Sequence, residues 1–98
     1  MPLNLTVSII KTIREVEMKE NLEKYKRAFG ESFESIDSTT IYEELAYESI
    51  IEWDSVGHMG LMAELEETFN IQLAMDDVID FSSFTKGIEV LARYKIII

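Results

Sequence analysis

The run from Trp53 to Phe69 constrains the fold of this chain more than any other stretch. Leu61, Leu65 and Phe69 recur at i, i+4 and i+8, and Met62 joins them, a spacing that predicts a helix with one apolar face. Wound as a helix, the run carries a second apolar stripe of Val56, Met59 and Ala63, bordered by Glu66 and Glu67. One face suits a core. The other suits either burial against a second helix or docking of a partner on an apolar strip with an acidic rim. Asp54-Ser55 falls where the helix begins, which sets the Ser55 hydroxyl among backbone N–H groups that have no intrahelical acceptor.

At 98 residues the chain is one domain at most, with a thin core. It has no cysteine, so disulfides and thiolate metal sites are excluded, which suits a reducing cytoplasm. Nineteen acids against nine bases give a net charge of −10, and their distribution matters more than their sum. Between Ala28 and Thr85 there are fourteen acids and no Lys or Arg. Such a surface repels nucleic acid and anionic membranes and attracts basic proteins. No apolar run approaches the roughly 18 residues of a membrane span.

Leu3, Leu5, Val7 and Ile9 alternate with Asn4, Thr6 and Ser8, a period of two that predicts an extended segment. From Met18 the rhythm becomes helical through Leu22, Tyr25, Phe29 and Phe33, predicting a first helix over about Lys19 to Glu34. Residues 1–17 are therefore expected to be a mobile appendage and 18–98 the domain. Thr40 and Glu43 form a capping-box pattern for a short turn with Ile41 and Leu45 on one side, followed by an extended Tyr47–Trp53. Asp76-Asp77 suits the start of a short helix ending near Phe81. Ser82-Ser83 offers an N-cap to a last helix marked by Phe84, Ile88 and Leu91. The expectation is an all-α bundle of three main helices and one or two short ones, with Met62, Leu65, Phe69, Ile79, Phe81, Phe84, Ile88 and Leu91 as core.

Asp54-Ser55-Val56, Leu61, Leu65-Glu66-Glu67 and Phe69-Asn70-Ile71, with Asp76-Asp77, Phe81 and Phe84 downstream, resemble the attachment region of acyl carrier proteins. The resemblance covers about Met18 to Tyr94. It implies an acyl-carrier-like helix bundle and a 4′-phosphopantetheine arm on Ser55, put there from coenzyme A by a phosphopantetheinyl transferase. Asp54 would belong to the same attachment site. It also implies docking of acyl-handling enzymes with basic patches through Val56, Met59, Ala63, Glu64, Glu66 and Glu67. The chain departs from the pattern in its enlarged Ala46–Trp53 segment and in Gly60, where many members carry an acid. The Gly-Gly that precedes the attachment serine of aminoacyl and peptidyl carriers is missing from Ile51-Glu52-Trp53-Asp54, which favours an acyl carrier.

On the residues alone, a serine after aspartate at a helix start is a cap. A hydrolase built on Ser55 and His58 fails the Gly-x-Ser-x-Gly requirement, because Trp53 holds the first glycine position. His58 reads as a partly buried histidine with one satisfied nitrogen. Asp76, Asp77 and Asp80 lack the loop spacing of a calcium site and read as solvated acids, so no metal is expected. The resulting expectation is a monomeric, cytoplasmic carrier without catalytic activity of its own. The alternatives are an unmodified acidic module, a degenerate carrier that docks basic partners, and an aminoacyl or peptidyl carrier.

Overall fold

A computed structural model describes the backbone of residues 2–98 and the side chains of residues 5–98. The chain is all-helical, a small bundle of three main helices and two short ones, with no strand among the described residues. Helix α1 spans Pro2–Ser32, α2 Ser55–Phe69, α3 Met75–Asp80 and α4 Phe84–Ala92. A single 3-10 turn at Tyr42–Glu44 interrupts the long connection before α2.

Helix α1 corrects two expectations. Leu5–Ile9 is helical rather than extended, and the first helix begins at Pro2 instead of Lys19. The side chains of Leu3 and Asn4 lie outside the described residues. The physical reason is that a strand needs a neighbour to take its N–H and C=O groups, and no strand exists among the described residues. A helix satisfies the same groups internally, and no proline or glycine interrupts the sequence from Leu3 to Phe29. The carboxyl-terminal half of α1, with Phe33 just past its end, carries the core stripe: Tyr25, Ala28, Phe29 and Phe33 are buried and Leu22 packs beside them, while Met18 stays exposed.

Aromatic rings fill the centre. Phe29 meets Tyr25, Phe33, Trp53, Phe81 and Phe84, mostly in edge-on geometries that suit the ring quadrupoles. The Tyr25 hydroxyl donates to the Phe84 carbonyl at 2.8 Å, and burial pushes that phenol well above its ordinary pKa. Gly87 is required where it stands, because a Cβ there would collide with the Tyr25 hydroxyl and the Phe81 ring. Leu61, Met62 and Leu65 of α2 are buried as their spacing predicts, and Phe69 packs at the margin. Ser83 caps α4 by accepting from the Lys86 N–H at 2.9 Å.

The connection before α2 is folded rather than extended. Glu48 takes a left-handed conformation (φ 66°), and its N–H donates to the Trp53 carbonyl at 2.8 Å. Tyr47 N–H donates to the Ser82 carbonyl, Phe84 N–H donates to the Leu45 carbonyl, and Ala46 and Ser83 form an isolated antiparallel bridge. The enlarged loop is thereby fastened to the start of α4. The expected capping box fails as well. Thr40 Oγ1 accepts from Asp37 N–H, Ile41 holds the cap position without a side-chain bond, and Ile41 is exposed while Leu45 is buried.

Candidate functional site

Asp54 Oδ1 accepts from the Gly57 N–H at 2.8 Å, and the Asp54 carbonyl accepts from His58 N–H at 2.7 Å. Asp54 is therefore the N-cap of α2 and Ser55 is its first helical residue. The capping role a serine would ordinarily take belongs to its neighbour. Ser55 is exposed, and its hydroxyl makes no hydrogen bond among the described residues. It stands at the amino-terminal end of a 15-residue helix, beside N–H groups that have no intrahelical acceptor and at the positive end of the helix dipole.

The helix approaches its preceding loop unusually closely at this point. A Cβ on Gly57 would collide with the Glu52 carbonyl and crowd the Phe33 ring. The Glu52 carboxylate accepts from both the hydroxyl and the N–H of Ser35, at 3.0 and 2.7 Å, and these bonds hold its pKa below the usual carboxylate range. The loop entering Ser55 is thus tied to the turn that follows α1. Gly60 differs, since nothing lies within 4 Å of the Cβ it lacks.

Trp53 is fully buried, packed against Phe29 and Phe33 on one side and the His58 ring on the other. Its indole N–H donates to His58 Nδ1 at 2.9 Å, so Nδ1 carries no proton and Nε2–H donates to the Val78 carbonyl at 2.8 Å. Both imidazole nitrogens are engaged, one more than the sequence suggests. His58 joins α2 to α3 and is not free to act as a base toward Ser55.

Beside Ser55 an apolar cleft of about 330 Å³ opens between α2 and α3. Met59, Met75, Val78, Ile79 and Phe81 form its walls, with Tyr47, His58 and Ser82 at its margins. Ile79, expected in the core, is 73% exposed, because α3 turns its Met75 and Ile79 face outward over this cleft. The spacing of Met75 and Ile79, four residues apart on one helix face, was the signal available for that wall.

The predicted docking strip is open. Val56 is 80% and Met59 54% exposed, and Ala63 is exposed too, so this face is not covered by another helix. Its acids are not equivalent. Glu67 is exposed and Glu64 half-buried, whereas Glu66 turns back and accepts from the Leu73 N–H at 2.8 Å. Glu66 thus braces the loop between α2 and α3. Asp77 and Asp80 are not merely solvated acids: Arg93 bonds both, the second at 2.7 Å, and the Tyr94 hydroxyl also donates to Asp77. These bonds hold both carboxyls below their ordinary pKa and pin α3 to the end of α4. No cluster of three or more metal-ligating side chains occurs among the described residues.

No family model, curated protein or solved structure matches this chain. No helix among the described residues is long and apolar enough to cross a membrane.

Proposed function

We propose that the chain is a cytoplasmic acyl carrier protein, modified on Ser55 by 4′-phosphopantetheine from coenzyme A. One observation carries this reading: Asp54 takes over the cap, leaving a solvent-facing, unbonded serine hydroxyl at the helix amino terminus beside an apolar cleft. The residues present fit the group. A phosphodiester on Ser55 lies where α2 favours negative charge, a gain of about 0.3–1 kcal/mol from the helix dipole. When bound, the arm supplies a terminal thiol that carries acyl groups as thioesters.

The chain's own residues do the presenting. Asp54 and Gly57 hold the first turn in place, and the Ser35–Glu52 bonds fix the loop behind it. The attacking hydroxyl needs no base from this chain, because the transferase removes its proton as Ser55 Oγ forms the new phosphoester bond and 3′,5′-ADP leaves. His58, held at both nitrogens, is accordingly a structural residue, and in this reading the chain presents its cargo while its partner enzymes do the chemistry. Val56, Met59 and Ala63 offer the transferase and acyl-handling enzymes an apolar strip, with Glu64 and Glu67 toward their basic residues. Glu66, in this reading, supports the site through its bond to the α2–α3 loop.

The test uses the absence of cysteine. After incubation with coenzyme A and a broad-specificity transferase, then removal of small molecules, a thiol reagent should titrate one thiol per chain. Ser55→Ala should give none. An unmodified wild type, alongside a control carrier that loads, contradicts the proposal.

A further inference from the structure

The single histidine of the chain meets its single tryptophan beside the cleft. The two rings are nearly parallel, at 14°, with centroids 6.2 Å apart and a hydrogen bond of 2.9 Å between their facing nitrogens. An indole nitrogen can only donate, so Nδ1 of His58 is unprotonated, and Nε2 carries the hydrogen that the Val78 carbonyl accepts. The fold selects one tautomer of the neutral ring. Among the described residues no other hydrogen bond joins α2 to α3. The remaining side-chain bonds of α3 run to Arg93 and Tyr94, beyond α4.

We propose that this pair is an acid-sensitive latch on the cleft: a proton taken from water at Nδ1 of His58 parts the ring from Trp53 and frees α3 to move from α2. A protonated imidazole donates from both nitrogens, so the indole N–H would face a second donor where it now has an acceptor. Trp53 is fully buried and held between the Phe29 and Phe33 rings and His58. His58 is half-buried and lines the cleft, so it is the ring that gives way, toward water. Its two bonds span one small ring, and drawing Nδ1 from the indole displaces Nε2 from the Val78 carbonyl. The neutral form makes both bonds. The latch is therefore closed on the alkaline side of the imidazole titration and open on the acid side.

No group nearby is placed to hold the charged ring where it is. Tyr47 and Phe81 meet it edge-on, and Tyr47 is the one other titratable side chain lining the cleft. In the loop before α2, Glu52 is held by Ser35 and Glu48 is exposed, while Asp54 Oδ1 accepts from the Gly57 N–H. On α3, Asp76 is exposed, and Asp77 and Asp80 are engaged by Arg93. On α4, Lys86 pairs with Asp80 and Glu89. Histidine ordinarily changes charge between about pH 5 and pH 8, well above the range of about 3.9–4.3 in which carboxylates do so. The latch does not depend on what Ser55 carries.

The test uses the unmodified full chain, labelled with nitrogen-15 and titrated from about pH 7.5 to about pH 5. At the upper end, the imidazole nitrogens should report the Nε2–H tautomer. As His58 takes up its proton, the indole N–H resonance of Trp53 should shift with the same midpoint. Fluorescence of the uncharged dye Nile red, which reports apolar surface, should rise severalfold with that midpoint. His58→Gln, which cannot titrate, should leave the dye signal flat over the same range. The proposal is overturned by an Nδ1–H tautomer, by a ring that stays neutral throughout, or by an indole resonance that ignores the titration of His58. A dye signal that stays flat in the wild type, or rises equally in His58→Gln, overturns it too.

Discussion

The indole N–H of Trp53 donates to Nδ1 of His58 at 2.9 Å, with the two rings nearly parallel at 14°. One residue is buried in the core just before α2, and the other, through the Val78 carbonyl, is the link to α3. This chain of two bonds holds together the two helices between which the cleft opens. His58→Phe keeps a ring in place but leaves the Trp53 N–H and the Val78 carbonyl without partners. A buried polar group so orphaned costs about 1–3 kcal/mol. Urea unfolding followed by fluorescence of Trp53, the single tryptophan, should show a loss in that range. A loss below about 0.5 kcal/mol, the level of an ordinary surface change, would mean the two bonds do not organise the site.

The two glycines of α2 should respond in opposite directions. Gly60→Ala adds a methyl group to open space and should stabilise the protein by about 0.5–1 kcal/mol, as helix propensity dictates. Gly57→Ala drives the same methyl group into the Glu52 carbonyl and must displace the loop that positions Ser55. It should destabilise by more than about 1 kcal/mol, the scale of overpacking. Thermal melts of the two variants decide the matter.

Much of this was readable from spacing alone. The core faces of α2 and α4, the cap at Ser83 and the acidic first turn of α3 follow from local rules that hold whatever the rest of the chain does. What escaped were features set by distant partners. Alternation over Leu5–Ile9 counts as a strand signal only if another strand exists, and none does among the described residues. Ile79 is apolar and four residues from Met75, but only the placement of α3 decides that this face looks outward. The roles of Trp53 toward His58, Glu66 toward Leu73 and Arg93 toward two aspartates need side chains to meet across turns that no periodicity records. At the site, the hydroxyl and its helix were legible, and the division of labour between Asp54 and Ser55 was not.

Acid should weaken the fold in a way that depends on Arg93. Asp77, bonded by Tyr94 and Arg93, and Asp80, bonded by Arg93, hold their carboxyls below the ordinary range when folded. The unfolded chain therefore binds more protons in the acid region, and stability rises with pH there. The contribution is complete above the unfolded carboxylate values of about 3.9–4.3. It is lost as pH falls below them through the lowered folded values. Arg93→Met should be less stable than wild type at neutral pH and should lose less on acidification. Parallel stability–pH curves would contradict the assignment.

Docking should be separable from folding through Glu67. Glu67→Lys should slow phosphopantetheinyl transfer while leaving the melting temperature nearly unchanged, since the side chain is exposed. Raising salt from about 0.1 M to about 1 M shortens the Debye length from about 10 Å to about 3 Å and should slow wild-type loading as well. Glu66→Lys should behave differently and lower stability, because it loses the bond to Leu73 N–H. Loading that ignores both salt and Glu67→Lys would place the docking surface elsewhere.

The most direct test of the central claim is the intact mass of the chain produced together with a phosphopantetheinyl transferase, followed by mapping of the modified peptide. The account predicts one phosphopantetheinyl group per chain, located on Ser55 and lost in Ser55→Ala. An unmodified chain under conditions that load a control carrier, or modification retained in Ser55→Ala, would contradict it.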